Sequence, residues 1–129
     1  MNIYDCFMYF DEDLLLDLRL NVLNKYVKKF IITESTFLHS GKGKKLNFDI
    51  KNFQKFKDKI EYIVVDKIPD GIEKVQSDDK LEIKNKKILD NSLKRENNQR
   101  NKLNFGLKGV HDEDLILSSD LDEIPNFSN

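Results

Sequence analysis

The chain has 129 residues, with 22 basic side chains against 23 acidic ones and a single cysteine. That length supports one domain with a real core, the near-zero charge balance argues against an electrostatic grip on nucleic acid, and one cysteine excludes an internal disulfide or a cysteine-based zinc site. No stretch approaches the roughly 18 apolar residues that span a bilayer, and no basic segment leads into an apolar signal core, so the expected location is cytoplasmic.

Residues 3–9 read as a first strand, apolar on both faces, in which Cys6 is a small buried hydrophobe. Asp11, Glu12 and Asp13 follow, and their charges suit the positive end of a helix. In that helix Leu14, Leu15, Leu18 and Val22 fall on one stripe, widened by Leu16, Leu20 and Leu23, so much of its girth is expected to be buried against a sheet. Residues 27–33 form a second strand, which delivers Glu34 and Ser35 to its carboxyl edge. Together these elements make a β-α-β unit.

Residues 36–48 are a loop containing His39-Ser40-Gly41-Lys42-Gly43-Lys44-Lys45. Its glycines free the backbone and its lysines suit an anion, but the spacing is not that of a phosphate-binding P-loop, and an exposed turn is the plainer alternative. Residues 49–57 are expected to be a short helix capped by Asp49, and residues 60–65 a third strand. Residues 70–90 are dense in charge and poor in large apolar side chains, as in an excursion that is mobile or weakly helical. A helix is expected from 91 to 108 with Gly109 as its stop. Gln99, Leu103, Gly106, Leu107 and Val110 share one face of it, and Gly106 permits close approach to a sheet. Asn97, Arg100 and Asn104 share a neighbouring face, which either addresses a ligand or is simply solvated.

Residues 114–119 are a fourth strand, which runs into Asp120-Leu121-Asp122-Glu123 and is stopped by Pro125. Strand alternation sends Asp120 and Asp122 to one side and Leu121 into the core. Two carboxylates so close repel unless a cation or a shared proton compensates them. Hard oxygen donors suit magnesium or manganese, which complete their shells with water and substrate phosphate. The cluster also lies beyond a strand's carboxyl end, where open α/β sheets bind ligands. A metal-assisted site for a phosphorylated substrate follows; the alternative is a solvated acidic loop.

Five segments in order carry a resemblance. Tyr4-Asp5-Cys6-Phe7-Met8-Tyr9-Phe10, Glu12-Asp13-Leu14-Leu15-Leu16-Asp17-Leu18-Arg19-Leu20, Phe30-Ile31-Ile32-Thr33-Glu34-Ser35, Glu96-Asn97-Asn98-Gln99-Arg100-Asn101 and Leu117-Ser118-Ser119-Asp120-Leu121-Asp122-Glu123-Ile124-Pro125 together resemble glycosyltransferase family 17. That family contains β-1,4-mannosyl-glycoprotein 4-β-N-acetylglucosaminyltransferases. The resemblance implies an α/β fold of the GT-A nucleotide-diphospho-sugar type with a mostly parallel sheet, a UDP-N-acetylglucosamine donor, a glycan acceptor and transfer with inversion. It implies manganese or magnesium held by Asp122 and Asp120, the latter through water or the ribose, and Arg100 neutralising the diphosphate. Glu34 and Ser35 would address the uridine or ribose, Asn104 the donor, and Glu123 the metal shell or donor sugar.

The whole chain, residues 1–129, is expected to be the N-terminal, donor-binding portion of such a domain, with the general base beyond Asn129 and so unnamed. Family members in animals carry a membrane anchor. This sequence shows none, and the expectation is a cytoplasmic enzyme, associated with membranes only through a glycan-assembly pathway. Two other readings compete: a non-catalytic module that binds a nucleotide-sugar, and a haloacid-type phosphatase with Asp120 as nucleophile. The phosphatase's usual Gly-Thr continuation is replaced here by Glu123-Ile124-Pro125.

Overall fold

Parallel strands that are apolar on both faces need helices on each side. A computed structural model describes residues 1–128. It contains β1 (Ile3–Met8), α1 (Asp13–Leu23), β2 (Lys29–Ser35), β3 (Ile60–Val65), α2 (Leu81–Asn101) and β4 (Leu115–Ser118), with 3₁₀ turns over Ile50–Phe56 and Lys102–Gly106. The four strands form one sheet in the order β3-β2-β1-β4, with every neighbouring pair parallel. The architecture is α/β, as the sequence leads one to expect.

Alternation along the strands divides the core in two. On one face Phe7, Tyr9, Phe30 and Ile32 pack with Leu16, Leu20 and Leu23 of α1 and with Phe53 and Phe56. On the other, Tyr4, Cys6 and Ile31 pack with Leu103. Burial pushes the Cys6 thiol up to about 12, with Asp5 adding to the shift and Arg19 opposing it, so the thiol is an inert core group. Asp49 caps the first 3₁₀ turn by accepting the Lys51 N–H at 2.9 Å.

Two expectations are corrected. The buried stripe of α1 is Leu16, Arg19, Leu20 and Leu23, whereas Leu14, Leu18 and Val22 are exposed. Hydrophobicity favours the uncharged stripe of Leu14, Leu15, Leu18 and Val22, but the inward stripe contains a charge that finds a buried partner on β1. The last helix also begins earlier than its apolar pattern indicates, at Leu81, and ends at Asn101 in a 3₁₀ turn. Its first turns, Leu81 to Asp90, carry three lysines, two leucines and one glutamate, good helix formers even when exposed. Two side chains tie them down: Lys87 meets Asp79 at 2.8 Å, and the Asn91 amide brackets the Glu73 backbone at 2.7 and 2.9 Å.

Gly106 lies against the sheet, where an added Cβ would fall 2.5 Å from Ile31 Cγ2. Among the described residues, no helix is long and apolar enough to cross a membrane. The strand order places the site. The chain leaves β1 through α1 to β2 on one side, then returns through α2 to β4 on the other. Connections that diverge in this way open a crevice at the carboxyl ends of β1 and β4, and ligands of open α/β sheets lodge there.

Candidate metal centre

The crevice is a cleft of about 280 Å³ lined by Met8, Phe10, Glu12 and Leu15 from the end of β1 and the start of α1, and by Asp120, Leu121 and Asp122 beyond β4. One carboxylate oxygen each from Asp120, Asp122 and Glu123 lie within 4.8 Å of one another, all on exposed side chains. The convergence arises differently from the alternation expected of a strand. β4 ends at Ser118, and residues 120–123 form a turn closed by Glu123 N–H donating to the Asp120 carbonyl at 2.9 Å. Glu123 Oε1 in turn accepts the Asp120 N–H at 3.1 Å. Leu121 does point inward and joins the α1-side core.

A buried side chain holds this turn from beneath. Arg19 of α1 grips Asp5 of β1 through Nε–Oδ2 at 2.8 Å and Nη2–Oδ1 at 2.7 Å. Its Nη1 donates to the carbonyls of Asp120 (2.8 Å), Glu123 (2.9 Å) and Leu121 (3.2 Å), and Nη2 donates to Ser119 Oγ at 2.7 Å. The guanidinium has five N–H donors in a rigid fork, and every one is used. The Phe7 ring lies beside it, with Cζ 4.8 Å from the ring centroid.

Arg100, on α2, reaches the same turn. Its Nη2 lies 4.0 Å from Asp120 Oδ1 while pairing with Glu96 at 3.1 Å, and it is exposed. Glu34 and Ser35 end β2 at the same sheet edge, but their polar atoms have local partners. Glu34 accepts from Lys44 Nζ at 2.5 Å, Asn47 N–H at 2.7 Å, Tyr62 Oη at 2.7 Å and Phe48 N–H at 3.0 Å. Burial opposes its ionisation, but these donors outweigh the burial and hold the carboxyl below its ordinary value. The same contact raises the Tyr62 hydroxyl pKa, after burial as the larger cause. Ser35 Oγ accepts the Phe37 N–H at 3.1 Å. Asn104 is exposed on the 3₁₀ turn and outside the cleft lining.

The sequence alone gives no site role to Arg19, Asp5 or the side chain of Gln99, and gives Glu12 only a charge suited to a helix N-terminus. Burial, reinforced by the charge of Asp11, raises the Glu12 carboxyl pKa at the cleft wall, against the opposing Asp11 N–H. Gln99 is fully buried, donates to the Thr33 carbonyl at 3.1 Å and faces His39 Nε2 at 3.4 Å. A signal for the first two was present: an acid in an apolar strand and a base on an apolar helical stripe, the opposite charges that a buried pair requires.

The donor set fits a hard divalent cation, being three carboxylates with no competing nitrogen or sulfur ligand. No curated protein and no solved structure matches the chain. The family model described as Glycosyltransferase family 17 matches residues 1–129. The chain therefore belongs to glycosyltransferase family 17.

Proposed function

We propose that this chain binds the donor of a metal-dependent, inverting glycosyltransferase of GT-A type that moves N-acetylglucosamine from UDP-N-acetylglucosamine to a sugar hydroxyl. Family membership supports glycosyl transfer in general. The observation that carries the finer reading is the meeting of Asp120, Asp122 and Glu123 at the mouth of the switch-point cleft. Without a counter-charge this cleft repels a diphosphate, because Glu12, Asp120 and Asp122 all line it. A divalent cation reverses that sign.

Asp122 and Asp120 would hold manganese or magnesium, with Glu123 orienting the shell through its bond to the Asp120 amide. Held there, the cation would supply charge neutralisation of the diphosphate and Lewis acidity toward the UDP leaving group. Arg100 stands close enough to Asp120 to offer its fork to the phosphate oxygens. Glu34 and Ser35 would serve the nucleoside by fixing the backbone of residues 36–48 at the sheet edge. Met8, Phe10, Leu15 and Leu121 give the cleft apolar walls against which a ring can pack.

Calorimetric titration with UDP tests this reading. Manganese should be required for tight binding, and Asp122→Ala should weaken binding at least about tenfold, since loss even of a group that only supports a metal ligand costs that much. UDP binding indifferent to both the cation and the substitution contradicts it.

A further inference from the structure

We propose that Arg19 is the positioning residue of the acidic loop: from inside the core it sets the backbone path of residues 119–123 and thereby the spacing of the Asp120, Asp122 and Glu123 carboxylates. This rests on the reading above that the loop binds a cation. The geometry makes the case. Three successive elements of the loop, the Ser119 hydroxyl and the Asp120 and Leu121 carbonyls, turn toward one guanidinium, and the Glu123 carbonyl returns to it. With the Asp120, Leu121 and Glu123 carbonyls held inward and the Leu121 side chain seated in the core, the side chains of Asp120, Asp122 and Glu123 lie on the outside, where they are exposed.

Arg19 is itself immobile. Asp5 occupies Nε and one Nη2 proton, and both side chains are fully buried. The loop is thus referenced to β1, the central strand beside β4, and to α1 rather than to solvent. Loops that must hold a carboxylate to within about half an ångström need support of this kind. Lysine cannot supply it, since an ammonium has three donors and no planar fork. Asp5 takes two of the five N–H groups and the loop takes the other three, so the loop backbone and the Ser119 hydroxyl complete the satisfaction of a buried guanidinium.

Three variants and two readouts separate this role from a general one in folding. The readouts are amide exchange at Glu123 in metal-free protein, which reports closure of the turn onto the Asp120 carbonyl, and manganese affinity from the resonance of the free ion. Arg19→Lys should speed that exchange and weaken manganese binding on the order of tenfold or more. Ser119→Ala removes the contact to Nη2 together with the bond that the hydroxyl donates to the Glu123 carbonyl at 3.2 Å, and should shift both on the order of threefold or more; wild-type values in it overturn the proposal even if Arg19→Lys fails to fold. Leu23→Ala hollows the core near the far end of α1, and should lower the unfolding midpoint while leaving both readouts at their wild-type values. Wild-type exchange and affinity in the Arg19 and Ser119 variants overturn the proposal, as does an equal response in Leu23→Ala. If the wild-type protein retains no manganese, the metal reading fails on its own, and the exchange rates alone uphold or overturn the role of Arg19.

Discussion

Asp5 and Arg19 form a two-pronged ion pair, Nε–Oδ2 at 2.8 Å and Nη2–Oδ1 at 2.7 Å, with neither side chain reaching solvent. Such a pair need not stabilise the fold relative to apolar side chains of similar volume, but splitting it strands a charge in the core. Asp5→Ala should therefore cost about 3–5 kcal/mol in urea unfolding. Asp5→Ala combined with Arg19→Met removes the stranded charge but also the donors to the Asp120, Leu121 and Glu123 carbonyls, so it should recover only part of that loss. A single substitution costing under about 1 kcal/mol would show that the guanidinium escapes to water.

Glu34 predicts an acid dependence whose sign follows from its environment. Its folded carboxyl titrates below the ordinary 4.5 because hydrogen bonds outweigh burial. The stability it contributes is therefore complete above 4.5 and is lost as pH falls from there through the folded value. Glu34→Gln keeps the shape and gives up the charge-assisted bonds, at about 1.5–3 kcal/mol for the strongest of them. The variant's unfolding midpoint should be lower than that of wild type at neutral pH, and the two should converge on acidification. Parallel curves would contradict the assignment.

Arg100 is exposed, and its ion pair with Glu96 is of the solvent-screened kind. Arg100→Ala should change unfolding free energy by less than about 1 kcal/mol. Its effect should appear in ligand binding instead, as a weaker manganese-dependent affinity for UDP and a shallower dependence on ionic strength. Arg100→Lys should restore charge but only part of the affinity, because the planar fork is lost. An Arg100→Ala protein that binds UDP as wild type does would remove Arg100 from the donor site.

Much of the fold was legible from periodicity. The strand expected at residues 60–65 is β3 to the residue, Asp49 caps its turn, and the face of Gln99, Leu103 and Gly106 is the one buried. These succeed because apolar alternation and capping are local. Two features were not legible. The inward stripe of α1 depends on Asp5 fourteen residues earlier in the chain, and a hydrophobicity pattern scores a buried arginine as an outward residue. The turn at 120–123 is misread when the alternation of the preceding strand is extended, since aspartate is disfavoured in strands and favoured in turns, and the carbonyl contacts that hold it come from Arg19 on a distant helix. At the candidate site the acidic residues could be read directly because they are adjacent in sequence. Their support could not, because it is long-range and buried.

The proposed function turns on Asp120 and Asp122, with Glu123 orienting the shell, holding a divalent cation beside the donor diphosphate. Substoichiometric manganese added to isotope-labelled protein with UDP tests it most directly, since a paramagnetic ion broadens the amide signals nearest to it. The signals of Asp120 to Glu123 should disappear first, followed by those of the cleft wall at Phe10 and Glu12, and Asp122→Ala should abolish the effect. Broadening centred on other surface carboxylates such as Asp78 and Asp79, or none at all, would contradict the account.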